Sequence, residues 1–100
     1  MAGVLTVVAK IFPTPGREAE VETLLVRMAA AVRQHEPDCL VYRPHRSTTE
    51  PTGFYFYEQY RTDAAFEFHR TGPHLVGYRA EMKELVARPT EIDLYRSLTA

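Results

Sequence analysis

The order of strand-like and helix-like segments predicts an α+β fold of the ferredoxin-like β-α-β-β-α-β type, with an antiparallel sheet of strand order 4-1-3-2. Three observations carry this. Residues Gly3 to Phe12 alternate and are rich in Val, Ile, Leu and Thr. From Arg17 to His35 apolar side chains recur as Val21, Leu24, Leu25, Met28 and Val32. An aromatic run, Phe54 to Arg61, then reads as a half-buried strand.

Each element has its own local reason. The first strand ends at Thr14-Pro15-Gly16, a turn sequence. The helix that follows carries Glu18, Glu20 and Glu22 near its start and Arg27 and Arg33 nearer its end, which complements the helix dipole. Pro37 stops it. Leu40 to Ser47 reads as a second strand, and Pro44 within it belongs at a sheet edge, where strand order 4-1-3-2 places it. Thr48 to Gly53 is a turn, and Phe54 to Arg61 the third strand. Asp63 is expected to cap a short helix through Ala64, Ala65, Phe66, Phe68 and His69. Gly72-Pro73 breaks that helix and starts another, with a stripe of Leu75, Arg79, Met82, Leu85 and Val86 that Pro89 closes. Glu91 to Leu98 is expected as the last strand.

Composition narrows the function classes. One hundred residues make one expected domain spanning 1–100, with an adequate core. The formal net charge is −1 and neither sign forms a long run, which argues against nucleic acid or an anionic membrane as partner. The apolar start is too short and too strand-like for a leader, and no apolar window approaches ~18 residues, so a cytoplasmic protein is the default expectation. Cys39 is the only cysteine, with an acid beside it and no basic neighbour, and reads as a packing residue.

The chemistry centres on Glu58. Alternation puts Phe54, Phe56, Glu58 and Tyr60 on one face of the third strand and Tyr55, Tyr57 and Gln59 on the other. A carboxylate among aromatics loses hydration, and its pKa rises unless a cation or hydrogen bond offsets that. An ion pair with Arg46 or Arg79 is the structural alternative. His69, on the short helix, would lie over this strand and could exchange protons near neutral pH. His74, just past the Gly72-Pro73 break, could line the mouth of the same cavity. Glu58 and His69 are thus the candidate catalytic pair. No metal site is expected: His69 and His74 are five apart across a helix break, unlike the two histidines of HExxH.

The segment from Glu36 to His74 resembles the antibiotic biosynthesis monooxygenase family. The matching residues are Glu36, Pro37, Cys39, Leu40, Tyr42, His45, Arg46, Ser47, Pro51, Phe54, Tyr57, Glu58, Tyr60, Asp63, Ala64, Ala65, His69, Pro73 and His74. The resemblance runs from the first strand to about Val86. It implies a dimeric α/β barrel of ferredoxin-like subunits, with a pocket between each sheet and its helices, in which Arg46, Tyr60, Phe66, His74 and Tyr78 are the candidate substrate contacts. It also implies oxidation of a quinol or polyphenol by O2 as co-substrate, with no metal, flavin or haem. Some relatives isomerise small carbonyl compounds instead, and a non-catalytic ligand-binding or stress protein is a third reading. Many relatives carry Trp where Tyr60 stands, and this chain has no Trp. The haem-degrading branch uses an Asn on the first strand, which here offers Thr6 and Ala9, so haem degradation is not expected.

Both sheet faces look apolar. Leu5, Val7, Ala9 and Ile11 point one way and Val4, Thr6 and Val8 the other, while the helices can cover only one side. An uncovered apolar face marks an interface, and a homodimer packed sheet against sheet follows. Analytical ultracentrifugation at micromolar concentration should show a dimer; a stable monomer would contradict this reading.

Overall fold

The computed structural model describes residues 3–99. The elements run β1 (Leu5–Pro13), α1 (Glu18–His35), β2 (Cys39–Arg46), β3 (Phe54–Tyr60), α2 (Asp63–Thr71), a 3₁₀ turn (Pro73–Leu75), α3 (Val76–Leu85) and β4 (Val86–Arg96). The four strands form one sheet in the order β2-β3-β1-β4, with every neighbouring pair antiparallel. This is the expected ferredoxin-like α+β arrangement.

The apolar periodicities become the core. All five stripe residues of α1 are buried, as are Leu5, Val7, Ala9 and Ile11 on β1 and Phe54, Phe56, Glu58 and Tyr60 on β3. The helices cover this face. Gly16 takes φ +92 in the turn before α1, a backbone angle that disfavours other side chains. The Thr48–Gly53 turn is organised by Ser47, whose Oγ accepts from the N–H of Thr49 and of Glu50.

Three details differ from the sequence expectation. Thr62, not Asp63, caps α2: its hydroxyl accepts the N–H of Ala65 at 3.1 Å. Asp63 instead pairs with Arg96 at 2.8 Å. The second difference concerns α3, which stops at Leu85 rather than running to Pro89. β-Branched Val86 turns extended, and β4 begins there instead of at Glu91. Pro89 falls in the register break between the pairs Phe12–Arg88 and Lys10–Glu91, on an edge strand where a missing N–H is tolerated. Thirdly, β2 slips by one residue against β3 between Cys39 and Val41. The slip brings Tyr42 opposite Glu58 and sets it on the helix-covered face.

The other face carries Thr6 and Val8 of β1, Tyr55 and Tyr57 of β3 and Tyr95 of β4. No helix covers it, and these residues are half-buried or exposed. Among the described residues no helix is long and apolar enough to cross a membrane.

Candidate active site

Glu58 sits at the centre of the sheet, opposite Val7 on one neighbouring strand and Tyr42 on the other. It is 3% exposed. Oε1 accepts the Tyr60 hydroxyl at 2.6 Å. Burial pushes its pKa up to about 7; the Tyr60 hydrogen bond opposes this, the Glu36 charge adds to it, and Arg79 opposes it. No ion pair forms with Arg46 or Arg79.

His69 is the only buried side chain of α2. Its Nδ1–H donates to the carboxylate of Glu36, at 2.9 Å to Oε2. A carboxylate at this pair can only accept, so Nδ1 carries the proton. Nε2 then holds the free lone pair of the neutral ring. It has no protein partner, and no buried side-chain nitrogen or oxygen among the described residues lacks one, so Nε2 is open to the cavity beside it. The ring is flanked by Tyr42, Tyr60 and Phe66, with centroids 5.1, 5.4 and 6.4 Å away.

Glu36 is among the family-matching residues, but sequence reasoning assigned it no role in the site. It is the C-cap, with φ −127 and ψ 80, and its side chain turns inward to 4% exposure. An anion at the negative end of a helix dipole is unfavourable. Two imidazoles compensate: His69 on one side, and on the other His74, whose Nε2–H donates at 2.6 Å. Burial works to raise the Glu36 pKa, but the hydrogen bonds and charges of His69 and His74 outweigh it and hold the group below its ordinary value. His74 thus faces away from the cavity, against His35 at 5.2 Å between ring centroids. Gly72 makes room for it: a Cβ there would press into the His74 ring and stand 2.9 Å from the Phe68 carbonyl.

The cavity between sheet and helices encloses about 670 Å³. Val7, Ala9 and Phe56 form its floor, and Glu58, His69 and Phe66 line it as expected. Tyr42, which the sequence reading left out of the site, adds a phenol whose pKa burial raises well above its ordinary value. The remaining expected contacts lie elsewhere. Tyr60 is fully buried behind Glu58 and acts through it. Arg46 is on the surface, bonded to Glu22 and to the Pro51 carbonyl, with its guanidinium over Phe54. Tyr78 and His74 line a separate, more open groove on the other side of Glu36. The Cys39 thiol is pushed up to about 12 by burial and by the charges of Glu36 and Glu58, so it is no nucleophile.

Residues 4–81 match the family model described as antibiotic biosynthesis monooxygenase. The chain belongs to that family. Rv0793 of Mycobacterium tuberculosis is 30% identical over 98 residues, which cover 98% of this chain and 95% of the relative. Its solved structure superposes with a TM-score of 0.86. A family protein from Caulobacter crescentus is 30% identical with a TM-score of 0.90, covering 98% of this chain and 92% of that one. PA3566 of Pseudomonas aeruginosa is 31% identical with a TM-score of 0.85, covering 99% and 98%. The family likeness covers both the Glu36 cluster and the Glu58 strand.

Glu58 gives the site a measurable signature. Its folded-state pKa of about 7 exceeds the ordinary 4.5, so the folded protein binds this proton more tightly than the unfolded chain. Its contribution is therefore most favourable below pH ~4.5 and declines as pH rises through about 7, by up to about 3 kcal/mol. Gln at this position keeps an acceptor for Tyr60 and cannot ionise. In urea unfolding at fixed protein concentration, Glu58→Gln should be more stable than the parent at pH 8, with the gap closing towards pH 5. A gap independent of pH would contradict the assignment.

Proposed function

We propose that the protein is a monooxygenase that oxidises a quinol or polyphenol with O2, without metal, flavin or haem, using His69 as the base. The single observation that carries this reading is the free Nε2 of a histidine whose Nδ1–H is fixed by an ionised carboxylate, facing an apolar cavity of aromatic size. That arrangement sets the tautomer needed to accept a substrate proton, and the carboxylate stabilises the imidazolium that results.

The sequence of steps balances for a hydroquinone. His69 Nε2 takes a hydroxyl proton, leaving an electron-rich phenolate. The anion passes one electron to O2, giving semiquinone and superoxide. These couple, forming a C–O bond to a ring carbon that bears hydrogen, and the His69 imidazolium returns its proton to the resulting peroxide anion. The hydroperoxide then loses water: the O–O bond breaks, the ring C–H proton leaves, and a carbonyl remains. Quinol and O2 become hydroxyquinone and water. Apolar walls exclude solvent from the anion. Glu58, hydrogen-bonded by Tyr60 and neutral over part of the neutral pH range, would donate to a substrate oxygen from its other carboxyl oxygen. The uncovered sheet face with Tyr55 and Tyr57 supports a homodimer as the working form.

Oxygen uptake with a panel of quinols, using protein dialysed against chelator, tests the reading. Turnover should fall by about 10²–10⁴-fold in His69→Ala. Glu36→Gln should also lose most of it, because an amide can hold either tautomer. Quinol oxidation without oxygen consumption, or full activity in His69→Ala, would refute the proposed role. Proton transfer on a carbonyl substrate without O2 consumption would favour the isomerase reading instead.

A further inference from the structure

The cavity wall is electrostatically one-sided. Its lining contains four cations, Arg70, Arg79, Lys83 and Arg88, against the single carboxylate of Glu58. The cations are not equivalent. Arg70 is neutralised by Glu67 at 2.7 Å. Arg88 lies over the Phe12 ring and within 3.7 Å of Glu91. Arg79 and Lys83 have no carboxylate within ion-pair distance among the described residues. They stand one turn apart on α3, at i and i+4, and so share a face.

Arg79 is also fixed in place. Two of its guanidinium nitrogens donate at 2.8 Å to the carbonyls of His69 and Arg70, the last turn of α2. The carbonyl that anchors Arg79 thus belongs to the residue that carries the base. Lys83 is exposed and lines the same cavity, which places it towards the mouth, whereas Val7, Ala9 and Phe56 are buried. Two cations with no carboxylate partner, on the wall of a cavity that is otherwise mostly apolar, fit a ligand with an anionic group at one end and a ring at the other.

We infer that the substrate is a carboxylated phenol or quinol, whose ring fills the cavity with a hydroxyl at His69 and whose carboxylate is held at the mouth by Lys83 and Arg79. The inference rests on the aromatic-substrate reading above and adds the anionic end. Lys83 makes the selection, since Arg79 is already committed to the α2 carbonyls. A neutral ring of the same shape would meet the same floor and leave the two cations unpaired.

Binding of 6-hydroxy-2-naphthoate and of its methyl ester, followed by ligand fluorescence, separates these cases. The two share a ring and a hydroxyl and differ in charge. The acid should bind about tenfold or more tightly than the ester, as a charge-assisted hydrogen bond allows. Lys83→Gln should remove most of that preference and leave the ester's affinity unchanged. Raising NaCl should weaken the acid alone. Equal affinities, a preference that Lys83→Gln leaves intact, or binding of neither probe would overturn the inference. Because the readout is binding, a protein that prefers the acid but consumes no O2 with any quinol would end the oxygenase reading and leave this one standing. Equal binding and equal oxidation of acidic and neutral quinols would do the reverse.

Discussion

The structure around the site depends on one carboxylate, Glu36, held between two imidazoles at the end of α1. Its bonds to His69 and His74 join three pieces of chain: the C-terminus of α1, the α2 helix and the 3₁₀ turn. A buried anion at the negative end of a helix would be costly alone. With two donors at 2.9 and 2.6 Å it becomes a fixed point. Pro37 ends the helix immediately afterwards, so the carboxylate cannot slide with a further turn. Gly72 leaves the space that His74 occupies. The orientation of His69, and with it the chemistry of the cavity, follows from these contacts.

Glu36 and Glu58 lie in one small region and are driven in opposite directions. Glu36 has two nitrogen donors and stays below the ordinary carboxylate range. Glu58 has one phenolic donor, lies between Val7 and Tyr42 on the adjoining strands, and burial dominates. Pairs of titratable groups pushed apart by their surroundings commonly divide acid and base work between them. In the proposed reaction the ionised member would prepare the histidine, while the member that titrates about neutrality lines the cavity. The Glu36 charge itself helps to keep Glu58 protonated, so the two are linked through space as well as by position.

The sheet, the α1 stripe and the inward face of β3 were legible because they rest on periodicity, and periodicity is local. Pro44 on an edge strand was legible because proline has no N–H to give to a central ladder. The burial of Glu58 followed from alternation, and its neighbour Tyr60 from the same face. Glu36 was visible as a helix end but not as a ligand for histidines, since the direction of a C-cap side chain is set by what packs over it. Tyr42 was hidden by the one-residue slip at the start of β2, which no propensity reveals. Arg46 and Tyr78 were drawn to the site by residue type, yet Arg46 found Glu22 and the Pro51 carbonyl on the surface, and Tyr78 packed on the far side of Glu36. Pro89 suggested a helix stop, whereas an edge strand with a register break accommodated it equally well.

The most direct test of the account is the protonation pattern of the His69 ring, read by long-range ¹H–¹⁵N correlation on histidine-labelled protein in the pH range where that ring is neutral. The parent protein should carry a proton on Nδ1 and a bare Nε2, and Glu36→Gln should lose that single tautomer. A neutral His69 protonated on Nε2, or a tautomer unmoved by Glu36→Gln, would contradict it.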